Sequence, residues 1–231
     1  MYNTYKFNHA RECLKFIITE FNIKEINIPY YLCDVIRHSL YDIGCKAIFY
    51  HINDDFMPEK EFNIHSYILY PNYFGVFNKN VEKMAYKYPN LIVDNAHAYY
   101  NEPKGFACFN SGSKFGYSEC AYLWIKNCNK NKHSVNININ NKLKIECRNK
   151  FLEYDKIYSK TNLLKIDISD NIFPFCYPLL CSSEEEADNI VKNLTSEKKL
   201  TVYRYWNSLP KKFNEYKFFS RLVPIPTNIG K

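Results

Sequence analysis

Apolar residues at Cys13, Leu14, Ile17, Ile18 and Phe21 repeat at the spacing of one helix face, which predicts a helix from Ala10 to Phe21. Asn8 or His9 falls at its start, where free backbone N–H groups can receive an anion. Beyond it, short apolar runs alternate with amphipathic stretches. Strands are expected at Glu25–Tyr30, Lys46–Ile52, Tyr67–Tyr70, Leu91–Asp94, Phe106–Asn110 and Cys120–Lys126. Helices are expected at Cys33–Ile43, closed by Gly44, and at Asn78–Lys87, stopped by Pro89. This alternation reads as an α/β fold with a mostly parallel sheet, whose ligands bind beyond the carboxyl ends of the strands.

The pattern changes near Asn127–Asn141, a stretch rich in Asn and Lys that reads as a linker before the alternating Val135-Asn-Ile-Asn-Ile139. After it come a helix around Leu143–Tyr158, strand-like Leu163–Ile168 and Phe173–Leu180, and a helix behind the capping signature Ser182-Ser-Glu-Glu-Glu186 that runs to about Leu194. Leu200–Trp206 reads as a last strand. Residues 1–130 are thus expected to form a large α/β domain and residues 131–231 a small α+β C-terminal domain.

Composition narrows the function classes. Apolar residues make up 46% of 231, enough for a real core, and 21 Tyr and 17 Phe make the chain unusually aromatic. The net charge of +7 is scattered, with no basic run or nucleic-acid module, so no nucleic-acid partner is expected. Nine cysteines without a Cys-x-x-Cys pair argue against a disulfide framework and a zinc site, and no metal is expected. Most should be buried apolar side chains in a reducing compartment. The N-terminus has no apolar signal region and no apolar run reaches membrane-spanning length, so a cytoplasmic protein without a membrane partner is expected.

The most informative chemistry lies in Asn90-Leu-Ile-Val-Asp-Asn-Ala-His97 and Phe109-Asn-Ser-Gly-Ser-Lys-Phe115. Alone, Asp94 reads as a turn or N-cap aspartate, His97 as a packed histidine, Lys114 as a surface lysine, and Ser111 and Ser113 as an ordinary turn. Together they place an acid at a strand end and a lysine on a small-residue turn at the next strand end. Those are two parts that pyridoxal 5'-phosphate (PLP) chemistry needs: an acid for the pyridinium nitrogen and an amine for its aldehyde.

The order of segments resembles the DegT/DnrJ/EryC1/StrS family of PLP-dependent sugar aminotransferases, of fold type I. Val93-Asp-Asn-Ala-His97 matches its acidic box and Ser111-Gly-Ser-Lys114 its lysine turn. Looser matches are Asn8-His-Ala-Arg-Glu-Cys-Leu14, Ile28-Pro-Tyr-Tyr-Leu-Cys33, Tyr70-Pro-Asn-Tyr-Phe-Gly75, Tyr205-Trp-Asn-Ser-Leu-Pro210 and Leu222-Val-Pro-Ile-Pro226. The resemblance implies that Lys114 carries PLP and moves the α-proton, that Asp94 keeps the pyridine nitrogen protonated, and that His97 contacts the ring oxygen. Ser111 and the Ala10–Arg11 helix start would hold the phosphate, and Tyr31 or Cys33 would lie near the ring face. It further implies a homodimer, an amino donor and a keto sugar (nucleotide-linked) or similar phosphorylated acceptor, in surface-polysaccharide or amino-sugar synthesis. Arg11, Arg37, Arg148 and Arg204 all remain open as a substrate-carboxylate clamp.

The chain departs from the family pattern in several places. It is shorter, Val93 stands before Asp94, Glu119-Cys120-Ala121 replaces a Gly-Gly, and no Gly-x-Asn-x-Arg segment is found. These departures imply the alternative of a shortened, catalytically altered or inactive member acting as a binding or partner protein.

Overall fold

The computed structural model describes residues 1–118, 120–128, 135, 137, 139–166 and 173–227. Seven strands form one sheet in the order β1-β7-β6-β5-β4-β2-β3. They are β1 Tyr2–Phe7, β2 Glu25–Pro29, β3 Lys46–Tyr50, β4 Ile68–Pro71, β5 Leu91–Asn95, β6 Ala107–Asn110 and β7 Ala121–Lys126. Only β7 runs against the rest, pairing antiparallel with both β1 and β6. The expected mostly parallel α/β sheet is therefore present. β5 is the central strand and is buried along its whole length.

Side-chain alternation along the strands splits the core between the two faces. Ile92, Phe109, Leu69 and Ile28 pack with α1 (Ala10–Glu20) and α2 (Asp34–Asp42). Leu91, Val93, Tyr70 and Cys108 face α3 (Asn78–Lys87) and the chain beyond the sheet. That later part contains α4 (Asn141–Tyr158), α5 (Glu184–Lys198), the short α6 (Tyr216–Ser220) and a two-stranded antiparallel sheet of β8 (Cys176–Leu180) and β9 (Leu222–Pro226). Eight of the nine cysteines are buried and unpaired, and Cys33 is half-buried.

Several expectations need correction. Leu200–Trp206 forms no strand. Its apolar side chains pack against the core without a partner strand, and Trp206 turns left-handed at φ 62°, which ends any extended run. Leu163–Leu164 also form no strand, because Asn162 Oδ1 accepts the N–H groups of both Leu164 and Leu180 and folds the chain into a turn. The end of that expected strand at Ile168 and much of the 127–141 linker lie outside the described residues. The strand expected from Phe173 begins only at Cys176.

Two strands escaped the sequence reading. β1 is an edge strand whose alternation is masked by tyrosines. β9 carries Pro224 and Pro226, residues that argue against a strand. The pairing explains the tolerance: Pro178 lies opposite Pro224, while Leu179 lies opposite Val223. In an antiparallel ladder every second pair exchanges no hydrogen bonds, so prolines facing each other there cost the ladder nothing.

Candidate active site

Because β1, β2, β4, β5 and β6 run in one direction, their carboxyl ends share one edge of the sheet. α1 and α2 start from the ends of β1 and β2, so their N-termini come to that same edge. The cleft there has a volume of about 240 Å3. His9, Ala10 and Arg11 line it from the start of α1, Cys33 and Val35 from the start of α2, and Asn72 from the end of β4. Asp94, Ala96 and His97 come from β5 and the turn after it, and Ser111, Ser113 and Lys114 from the turn after β6. The sequence-selected residues Ala10, Arg11, Cys33, Asp94, His97, Ser111 and Lys114 are thus brought together.

Tyr31 is not a lining residue. It is wholly buried, stacks on Tyr73 at 5.8 Å and donates to the Phe218 carbonyl at 3.2 Å, which makes it part of the core behind the cleft. Of the four candidate arginines, Arg11 alone lines the cleft. Arg37 is paired with Asp34 at 3.2 Å and Arg204 with Asp188 at 2.6 Å, both away from it.

Asp94 follows Ile92 on the strand and so points to the α1 face. It is 9% exposed, and its Oδ1 accepts the Ala96 N–H at 2.8 Å. Burial raises its pKa to about 6, while the Ala96 hydrogen bond and the charge of Lys114 pull the other way. A carboxylate this costly to bury gains most from a cationic or N–H partner in the cleft.

Lys114 sits on a 3-10 turn, Gly112–Phe115, closed by Gly116 at φ 85°. Gly112 is required there, since an added Cβ would lie 2.9 Å from the Cys120 carbonyl oxygen. The Lys114 ammonium lies 5.6 Å from the centre of the Phe175 ring and 5.8 Å from that of Tyr205. Ser111 and Ser113 hydroxyls are 3.1 Å apart beside it. Across the cleft, the first turn of α1 supplies N–H groups without helical acceptors and the positive end of the helix dipole. Glu12 engages the N–H groups of Asn8 and His9 just before that turn, at 3.1 and 3.4 Å.

His97 is buried, and its Nδ1 accepts the Phe74 N–H at 3.3 Å. Burial, with Lys114 adding to it, holds its pKa well below the usual histidine value, so the ring is neutral.

Sequence reasoning missed Trp206 and Asn72 as lining residues. Trp206 belongs to the Tyr205-Trp-Asn-Ser-Leu-Pro210 match and Asn72 to the Tyr70-Pro-Asn-Tyr-Phe-Gly75 match, just past an expected strand, so each carried a signal. On the other face of β5, Asn72 also borders a cavity of about 340 Å3, together with Asn78, Asn95 and Asn101.

No protein-family model matches the sequence, and no curated protein matches it. Solved structures do. Helicobacter pylori PseC, an aminotransferase involved in the biosynthesis of pseudoaminic acid, is 16% identical with a TM-score of 0.67, covering 98% of this chain and 82% of PseC. A DegT DnrJ EryC1 StrS aminotransferase from Brucella abortus is 11% identical with a TM-score of 0.69, covering 99% of this chain and 82% of that one. NtdA from Bacillus subtilis, solved with bound cofactor PMP, is 12% identical with a TM-score of 0.71, covering 97% of this chain and 69% of that one. The chain therefore shares the fold of these aminotransferases.

Proposed function

We propose that the protein is a PLP-dependent aminotransferase that acts on the keto group of a sugar or similar phosphorylated small molecule. The observation that carries this reading is the convergence of Asp94, Lys114 and the α1 N-terminus in one cleft at the carboxyl edge of the sheet. The residues fit the cofactor by the chemistry of their donors. A buried acid can face a ring nitrogen, a lysine amine can reach an aldehyde carbon, and a helix start with two serine hydroxyls can receive a phosphate. When bound, PLP supplies an electron sink for the carbanion of an amino substrate.

Within that reading, Asp94 holds a proton on the ring nitrogen, and its burial makes the ion pair strong. Lys114 Nζ binds the cofactor and moves the proton at the substrate α-carbon. Ala10, Arg11 and Ser111 orient the phosphate, and His97 offers a hydrogen bond without a charge. Cys33 stands beside the ring. Residues 1–130 form the cofactor-binding part and residues 131–231 a small domain that covers it. The partners are an amino donor, a keto acceptor and a second copy of the chain. The likeness to PseC, an aminotransferase involved in the biosynthesis of pseudoaminic acid, supports the substrate class.

The test is the absorbance spectrum of purified protein with added PLP, before and after borohydride, followed by peptide mass mapping. A reducible visible chromophore and a phosphopyridoxyl adduct on Lys114 are expected. No chromophore and no adduct would overturn the reading. PLP bound without any half-reaction across a panel of amino donors would favour the shortened, catalytically altered alternative.

A further inference from the structure

Four aromatic rings, Phe74, Phe175, Tyr205 and Trp206, pack around the His97 imidazole. Phe175 lies against it at 4.9 Å and 19°, and the Trp206 indole is stacked at 5.6 Å with the two planes only 5° apart. Both rings come from the last third of the chain, beyond the sheet that supplies His97. Trp206 also borders the cleft itself. To reach this place its backbone adopts φ 62°, a left-handed conformation that a bulky side chain rarely takes. Its indole is braced edge-on by Tyr31 at 4.5 Å and Tyr73 at 5.8 Å. A turn of the imidazole about χ2 would break its near-parallel stacking on both Phe175 and Trp206.

The Phe74 N–H at 3.3 Å from Nδ1 then selects the tautomer, because an acceptor nitrogen carries no proton. The neutral ring has its single proton on Nε2. Phe74 is itself held at φ 57°, next to Gly75 at φ 77°. Two strained positions, Phe74 and Trp206, thus converge on one imidazole, and strain of this kind collects where a functional geometry is over-determined.

We propose that Trp206 is a positioning residue that, with Phe175, holds His97 as a fixed Nε2–H donor in the wall of the cleft. The charged and titratable groups around His97 are Lys114 on the turn after β6, Asp94 on β5, Tyr205 at 5.4 Å beside Trp206, and Cys176 next to Phe175. None supplies an acceptor that would force the other tautomer; the selection comes from Phe74 and from the stacking that keeps the ring in register with it. The proposal rests on the PLP reading only for what the donor is used for.

The experiment is nitrogen-15 NMR of histidine-labelled protein without added PLP, with the His97 resonances assigned by their loss in His97→Gln. In the unsubstituted protein, Nδ1 should resonate as an unprotonated nitrogen and Nε2 as a protonated one, unchanged between about pH 5.5 and 8. Trp206→Leu should let His97 titrate in that range and populate both tautomers, while Trp206→Phe should restore the single form. If Trp206→Leu does not fold, Trp206→Met, which keeps bulk without a ring, gives the same reading. With PLP added, the pH titration of the bound chromophore should shift in the Leu or Met variant and not in the Phe variant. His97 resonances unchanged by loss of the indole would overturn the proposal. Absence of any PLP adduct in the unsubstituted protein would sink the PLP reading and leave the histidine result standing.

Discussion

The carbonyl oxygen of His97 occupies the space that a side chain on Gly75 would need. A Cβ built on Gly75 would lie 2.4 Å from that oxygen and 3.2 Å from Pro174 Cα, at a backbone φ of 77°. Gly75→Ala therefore meets both a backbone clash and a disfavoured conformation. A loss of roughly 2–4 kcal/mol is expected. Urea denaturation checks it, and the His97 resonances should move in whatever fraction still folds.

Asp94 makes the cofactor-free protein sensitive to pH in an unusual direction. Its pKa rises from 3.8 in the unfolded chain to about 6 in the folded one, chiefly through burial. The folded state then binds more protons between those values, so this group costs no stability below pH 3.8 and an increasing amount as pH rises toward 6. The ceiling on that cost is roughly 3 kcal/mol. Asp94→Asn, which keeps an acceptor for Ala96, should be more stable than the parent by about 1–2 kcal/mol at pH 7.5 and nearly equal to it at pH 4. Thermal or urea unfolding of the two proteins at both pH values decides it. The same variant should lose PLP.

Lys114 is half-buried on a turn whose shape is set by Gly112 and Gly116 rather than by its own side chain. Lys114→Ala should change stability by about 0.5 kcal/mol or less, the usual range for such a site. It should nevertheless abolish the borohydride-stable adduct. An adduct mapped to another lysine in this variant would contradict the assignment.

Glu215 is wholly buried at the start of α6, where its carboxylate accepts the Ile52 N–H at 2.9 Å and faces His51 Nδ1 at 3.0 Å. It ties the end of β3 to the chain just before β9. Glu215→Ala strands a buried N–H and should cost about 2–4 kcal/mol, with Glu215→Gln recovering part of the loss. Chemical denaturation of both variants measures the difference.

The sequence carried the cleft better than it carried the walls. Asp94 and the Ser111–Lys114 turn were legible because each ends an apolar run, and α3 was read with the bounds it has, Asn78–Lys87. Trp206 was not legible as a wall, since its place depends on a non-local return of the chain and a left-handed backbone, and local pattern reports neither. Tyr31 shows the converse. Its neighbours Cys33 and Val35 reach the cleft, but two positions earlier the side chain turns into the core. Pro224 and Pro226 hid β9 because proline's cost depends on which side of a strand is paired.

The pairing of Pro178 with Pro224 has a bearing on how copies of the chain can meet. In the β8–β9 ladder, the N–H groups of the non-bonded pairs are the ones that face outward, and Pro178, Pro224 and Pro226 have none to offer. With the Leu180 N–H already bound to Asn162, an arriving strand would find only Cys176 on the β8 edge and Leu222 on the β9 edge as outward donors. Strand addition to this small sheet is therefore disfavoured on both edges, and self-association through side-chain packing meets no such obstacle.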